Sequence, residues 1–194
     1  MWYFSLKLYR EVIVVILLYK NLIEQYKSDY EIKKLIKEGI LIKVEKGIYS
    51  DTNNVNYLEI LTKKYPNAVF TMDSAFYYHN LTDVIPDKEH LALRRDSTKI
   101  KDDRIKIRYY QDNLFDIGKS ILKVNNIDIQ IYDKERMLIE LIRNRNSLGF
   151  DYYKEIINNY REIRETLNTK KIAEYISKFS IENYLYDVIM KEVF

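Results

Sequence analysis

Val12, Val15, Ile16, Tyr19, Ile23 and Tyr26 recur at the spacing of one helical face, which predicts a single amphipathic helix over residues 8–26. Ser28-Asp29-Tyr30-Glu31 has the form of a capping box, in which the serine hydroxyl takes the N3 amide and the glutamate reaches back. A second helix should follow, with Ile32, Leu35 and Ile36 inward and Lys33, Lys34 and Lys37 outward. Gly39 is placed to be the left-handed residue beyond its end. Ile40-Leu41-Ile42-Lys43-Val44, a turn at Glu45-Lys46-Gly47, and Ile48-Tyr49 read as a short β-hairpin. Helix, turn, basic helix, hairpin is the order of a winged helix-turn-helix, here assigned to residues 1–52. The segment is one helix short of the fuller version unless residues 1–26 break into two elements.

From residue 53 onward the pattern predicts a larger α+β domain. Val55 to Tyr65 reads as helix, Pro66-Asn67 as a turn, and Ala68-Val69-Phe70 as a strand or a helix lead-in. Met72 to Tyr78 reads as helix, and Pro86 closes the connection that follows. Strands then dominate: Leu91 to Arg94, Arg104 to Tyr110 with Ile105, Ile107 and Tyr109 alternating inward, and Ile121 to Val124. Ile127, Ile129 and Ile131 alternate again across Asn125-Asn126, a pair suited to the positive φ angles of a type I′ turn. After Tyr132 the helical period returns, with Asp133 as N-cap and Met137, Leu138, Leu141 and Ile142 inward. Asp151, Thr169 and Ser180 are the N-caps expected for three further helices. The fold class is therefore α+β: a winged-helix-like module, then a mixed sheet, then a C-terminal helical bundle.

Composition narrows the chemistry. The 194 residues include no Cys, which excludes disulfides, Cys-ligated metals and a thiol nucleophile, and only two His, His79 and His90. No metal or cofactor is expected. The four glycines are isolated, so no Gly-rich phosphate loop is present. The Val12–Leu18 apolar run is far shorter than the roughly 18–20 residues that span a bilayer, and Tyr19-Lys20-Asn21-Leu22 offers no signal-cleavage site. A cytoplasmic protein with no membrane partner is expected.

The formal charge of +3 says little as a total, but it is unevenly distributed. Residues 1–48 carry nine basic and six acidic groups, residues 49–90 three and six, and residues 91–110 seven and three. The first basic segment coincides with the predicted helix-turn-helix and hairpin, so Lys33, Lys34, Lys37, Lys43 and Lys46 are the candidate DNA contacts. The predicted second helix holds no Arg, Asn or Gln for bidentate base reading. Arg94, Arg95, Arg143 and Arg145 are candidate contacts to an acidic partner.

Ser74 and His79 lie five residues apart, about 140° around a helix, which does not favour a nucleophile–base pair. Ser74 is expected to cap or pack, and His79 to hydrogen-bond a neighbouring loop with Leu81 and Ile85 as anchors. Asp133, Glu135 and Arg136 read as a helix start, with Arg136 available for a buried pair between sheet and helices. A Mg²⁺-dependent nuclease of the restriction type needs a carboxylate pair and a lysine. Pro86-Asp87 is present, but Asp102-Asp103-Arg104 offers arginine in the lysine's place. No catalytic residue is assigned, and the chain is not expected to be an enzyme.

Three segments together resemble a known family. Lys37-Glu38-Gly39-Ile40-Leu41-Ile42-Lys43-Val44-Glu45-Lys46-Gly47-Ile48-Tyr49 resembles the hairpin of AbiEi-type antitoxins. Ser74-Ala75-Phe76, His79-Asn80-Leu81-Thr82-Asp83 and Ile85-Pro86 are similar to a second family segment. Tyr132-Asp133-Lys134-Glu135-Arg136-Met137-Leu138 with Ile142-Arg143-Asn144-Arg145-Asn146 resemble a third, with Met137 in place of the usual Thr and Glu140 where Asp is common. The segments occur in the family's order and span roughly residues 28–194; the first twenty-odd residues match poorly. The resemblance implies an antitoxin of a type IV, abortive-infection (phage defence) system. Such a protein represses its own operon by binding double-stranded promoter DNA and counters a nucleotidyltransferase toxin through its C-terminal domain. The alternatives are the Mg²⁺-dependent nuclease and a protein-interaction module without DNA binding.

Overall fold

The computed structural model describes residues 16–194, which fall into two compact units, the chain passing from the first to the second between Pro66 and Asn67. The helix expected over 8–26 is, within the described residues, two elements. Ile16–Leu18 form strand β1 and Tyr19–Tyr26 form helix α1, while residues 8–15 lie outside the described residues. A short apolar run fits a buried strand as well as a helix, and tertiary pairing decides between them. Here β1 pairs antiparallel with Ile48–Ser50 (β3), Leu17 facing Tyr49. Between them come α2 (Asp29–Lys37) and β2 (Ile42–Glu45), and the sheet order is β1-β3-β2.

The end of α2 is built as its sequence predicts. Gly39 takes φ +69°, its amide donates to the Ile36 carbonyl at 3.1 Å, and the Ile40 amide donates to that of Leu35 at 3.0 Å. This is the Schellman pairing that satisfies two helix-end carbonyls. The capping box does not form. Ser28 is the N-cap but its side chain makes no capping bond, and Asp29 instead engages Tyr19 and Lys33.

Leu22, Ile32, Leu35, Leu41 and Tyr49 form the main core of this unit. Ile16, Ile48 and Ile60 form a second cluster, so helix α3 (Tyr57–Lys64) belongs here, beyond the boundary expected at residue 52.

The second unit is a five-stranded mixed sheet covered by helices. Its strands are β4 (Val69–Phe70), β5 (Glu89–Arg94), β6 (Ile105–Tyr110), β7 (Lys119–Val124) and β8 (Ile127–Tyr132), in the order β6-β5-β4-β8-β7. Pairs β5/β6 and β4/β8 are parallel; β4/β5 and β7/β8 are antiparallel. Asn125 and Asn126 turn β7 into β8 with φ of 48° and 65°, as a type I′ turn requires. On edge strand β6 the expected inward set is only partly buried. Ile105 is buried, but Tyr109 is exposed and Tyr110, on the other face, is buried.

Helices α4 (Met72–Tyr78), α5 (Asp112–Phe115), α6 (Lys134–Arg143), α7 (Phe150–Glu162), α8 (Thr169–Ile176) and α9 (Glu182–Glu192) complete the unit. Asp133 caps α6 as expected, its carboxylate accepting from the Arg136 amide at 2.9 Å. The other caps shift. Gly149 precedes α7, with Asp151 in its first turn; Asn168 caps α8, so Thr169 is its first residue; Ile181, not Ser180, precedes α9. Asparagine caps as well as threonine does, and acidic groups are favoured inside the first turn as well as at the cap.

Every residue of α6 from Arg136 to Ile142 is buried, so this helix is the centre of the unit. Burial on all sides leaves its polar side chains no water to turn to. Arg136 donates to Glu140 at 2.7 Å and to the Leu114 carbonyl at 3.1 Å; Glu140 also accepts from Arg143 at 2.9 Å and Asn144 at 3.3 Å. Arg136 is in a buried pair, but its partner Glu140 lies on α6 itself, so the pair does not join sheet to helices as anticipated. Glu140→Ala should destabilise the protein by about 3–5 kcal/mol, because it leaves the arginine charge buried without its partner. Arg136→Met combined with Glu140→Leu should recover much of that loss, and urea unfolding of the single and double variants measures both.

Candidate functional site

The helix α2 carries an exposed cationic face. At about 100° per residue, Ile32, Leu35 and Ile36 point one way and Tyr30, Lys33, Lys34 and Lys37 the other, within an arc of about 100°. Ile32 and Leu35 are buried and Tyr30, Lys33, Lys34 and Lys37 are exposed, so the packing follows the pattern. Asp29, Glu31 and Glu38 lie at the flanks of this face rather than on it.

Asp29 accepts from the Tyr19 hydroxyl at 3.2 Å and pairs with Lys33 at 2.6 Å. The lysine beside it holds the Asp29 carboxyl below its ordinary range. Lys34 and Lys37 have no such partner among the described residues. In the hairpin, Lys43 is exposed on β2 and Lys46 at the turn. The turn end of the hairpin is held by two contacts: the Tyr19 amide donates to the Gly47 carbonyl at 2.9 Å, and Lys64 of α3 pairs with Glu45 at 3.0 Å. The five lysines singled out in the sequence thus lie on one helix and its adjoining hairpin, all exposed. Tyr30, 73% exposed on the same face, was absent from that set because a tyrosine carries no charge to count.

In the second unit the four candidate arginines do not gather. Arg94 pairs with Asp112 at 3.0 Å and with Asp116, and lies over the Phe115 ring. Arg143 is bound to Glu140 and lies over Phe179. Arg145 reaches the Tyr184 hydroxyl at 3.4 Å and Glu192 at 3.6 Å. Arg95 is exposed and lines a shallow depression with Asp96, Gln111, Asp112 and Asn113.

Ser74 and His79 do not meet as nucleophile and base. The buried Ser74 hydroxyl donates to Glu89 at 2.5 Å and accepts from the His90 amide at 2.8 Å. His79 Nε2 donates to the Tyr132 carbonyl at 2.7 Å, at the end of β8. Leu81 anchors the loop in the core as expected, whereas Ile85 is 72% exposed and anchors nothing. The rest of the anchoring comes from α7: Asn159 donates to the Leu81 carbonyl at 3.0 Å, and Glu155 accepts from Thr82 at 2.7 Å. Asp87 is exposed on the same connection, and both Asp102 oxygens are taken by Arg104, at 2.8 and 2.7 Å. Among the described residues no three His, Asp or Glu side chains gather as a metal-binding group, and no helix is long and apolar enough to cross a membrane.

No family model matches the chain, and no curated protein matches it. Among solved structures it is similar to the RV2827C protein of Mycobacterium tuberculosis, with a TM-score of 0.58 over 89% of this chain and 71% of that one. The identity is 14%, so the likeness is one of fold. Fold and geometry together define the class: an α+β protein of two units, the first with a lysine-faced helix beside a hairpin.

Burial sets how the second unit responds to pH. Burial lowers the pKa of His79 and His90 below 6.5, and it raises that of Tyr110 from 10.0 to about 12 and that of the fully buried Tyr160 well above 10.0. A lowered histidine contributes stability above its unfolded value that is lost as pH falls through the folded value. A raised tyrosine contributes stability below its unfolded value that is lost as pH rises through the folded one. Urea midpoints are therefore expected to be level between about pH 6.5 and 10 and to fall on either side, and His79→Gln should flatten the acid limb.

Proposed function

We propose that the protein is an antitoxin and autoregulatory repressor of an AbiE-type system, acting in the cytoplasm and without catalytic activity of its own. Its first unit is a winged helix-turn-helix, with α2 as the recognition helix and β2–β3 as the wing. The observation that carries this reading is the topology of the small sheet. Strand β1 precedes two helices and pairs with the second hairpin strand, so the chain leaves the three-stranded sheet at β1, passes through α1 and α2, and returns to it as the hairpin. The break between β1 and α1 makes the described order strand, helix, helix, hairpin, with the added element a strand rather than a further helix.

Electrostatics support the same reading. The outward face of α2 carries lysines and the hairpin adds two more, an arrangement that suits phosphates flanking a groove. Asp29 remains charged but is paired with Lys33, which offsets it beside the other lysines. The second unit answers to a nucleotidyltransferase toxin in this reading, on the strength of the family resemblance of residues 74–86 and 132–146. The resemblance there rests on residues that build the unit. Tyr132 bonds the Phe115 carbonyl, Asp133 caps α6, Glu135 holds the Asn168 amide, and Arg136 enters the buried pair.

The test is a gel shift on a duplex covering the DNA upstream of the gene, over a range of salt. The full chain should bind with an affinity that falls steeply as salt rises. Lys34→Ala and Lys37→Ala should each weaken binding and lower the salt slope by about one. If Lys34→Glu with Lys37→Glu bound as well as the unaltered protein, the recognition helix would lie elsewhere.

A further inference from the structure

We infer that Tyr30 is the residue through which α2 reads sequence, by laying its ring against a thymine methyl group in the major groove; this rests on the DNA-binding reading of the first unit. Phosphate contacts position a protein on DNA, but sequence is read at base edges. The exposed face of α2 has few groups suited to that work. Its lysines are exposed point charges, and it contains no Arg, Asn or Gln for bidentate reading of guanine or adenine. Tyr30 remains. It sits in the first turn of α2, where recognition helices approach base edges, and it shares a face with Lys33, Lys34 and Lys37.

Among the described residues Tyr30 is also the most exposed of the large hydrophobics, at 73%. Its neighbours explain why the chain holds it there. Asp29 turns sideways to Tyr19 and Lys33, so the helix start is fixed by that residue and not by Tyr30. Ile32 and Leu35 carry the packing. No hydrogen bond or ring contact fixes Tyr30 among the described residues, so nothing internal occupies its ring. A flat apolar surface beside cations matches the one apolar feature the major groove displays, the C5-methyl of thymine.

The experiment begins with the full chain and a pool of random duplexes, from which the bound fraction is sequenced. A motif with at least one fixed thymine is expected. Replacing each fixed thymine by deoxyuridine removes only its methyl group. At one position this should cost the unaltered protein about fourfold in affinity, the worth of one methyl kept from water. Tyr30→Ala should lose about the same factor on the thymine duplex and be indifferent to the deoxyuridine exchange. Tyr30→Phe should keep the discrimination, and both variants should keep the salt slope and thermal midpoint of the parent.

Selection of no motif, or an equal deoxyuridine penalty in the parent and in Tyr30→Ala, would overturn the assignment while leaving DNA binding intact. Loss of discrimination in Tyr30→Phe would overturn the ring contact. Failure of the parent to retain any duplex would overturn this inference and the functional reading together.

Discussion

Arg136 and Glu140 form an ion pair buried in the middle of the second unit, where β6, β8, α5 and the segment after α8 converge on α6. Taking two such charges out of water costs several kcal/mol each unless geometry compensates. Glu140 is compensated by three donors, from Arg136, Arg143 and Asn144. Arg136 has two acceptors, while its guanidinium lies 4.9–5.4 Å from the rings of Tyr110, Tyr132 and Phe179. Its Nε finds no acceptor, and the aromatic faces soften that loss. Gly118 completes the constraint. A Cβ there would stand 2.4 Å from the Arg136 Cβ and 2.9 Å from the Asp133 carboxylate, and its φ is +75°. A single cluster therefore demands glycine at 118, a capping acid at 133 and the charge pair four residues apart on α6.

That dependence explains what could be read in the sequence and what could not. Local features were legible where one residue type is forced by local geometry. Gly39 had to follow α2, Asn125-Asn126 had to turn the hairpin, and Asp133 had to start α6. Within its described part the helix expected over 8–26 is found over Tyr19–Tyr26 but not over Ile16–Leu18, because Ile16, Leu17 and Leu18 are equally apolar in either conformation. Only their pairing with Ser50, Tyr49 and Ile48, thirty or more residues away, makes them a strand. Tyr109 and Tyr110 show the same limit: alternation marks two faces, but which face the helices cover at a sheet edge is a tertiary matter. The lysine face of α2 was legible from period alone; Tyr30 was not, since exposure distinguishes it from the chain's many packed tyrosines.

Ser74 and His79 illustrate a different limit. Their residue types suggest chemistry, and spacing argued against a Ser–His pair. What spacing could not supply is where their polar atoms go. Ser74 links α4 to the start of β5 through Glu89 and the His90 amide, and His79 crosses to the end of β8. Both are satisfied within the fold, which is what burial requires of them.

Many arginines and many lysines of the chain are disposed of differently, and that difference bears on function. In the second unit, Arg94, Arg104, Arg108, Arg136, Arg143 and Arg145 each have an acceptor in the chain, mostly a carboxylate. Their charge is consumed in holding strands and helices together. On α2 and the hairpin of the first unit, Lys34, Lys37, Lys43 and Lys46 stand in solvent with no acceptor among the described residues. Cations that brace nothing contribute little to stability, and like charges along a helix face cost a few tenths of a kcal/mol per pair. Such a face is retained at a small cost to the fold, and the cost is offset when a polyanion supplies the missing counter-charges and releases its own condensed ions. The same cationic charge thus has two meanings in one chain: structural where it is paired and, in the proposed reading, a surface for a polyanion where it is not.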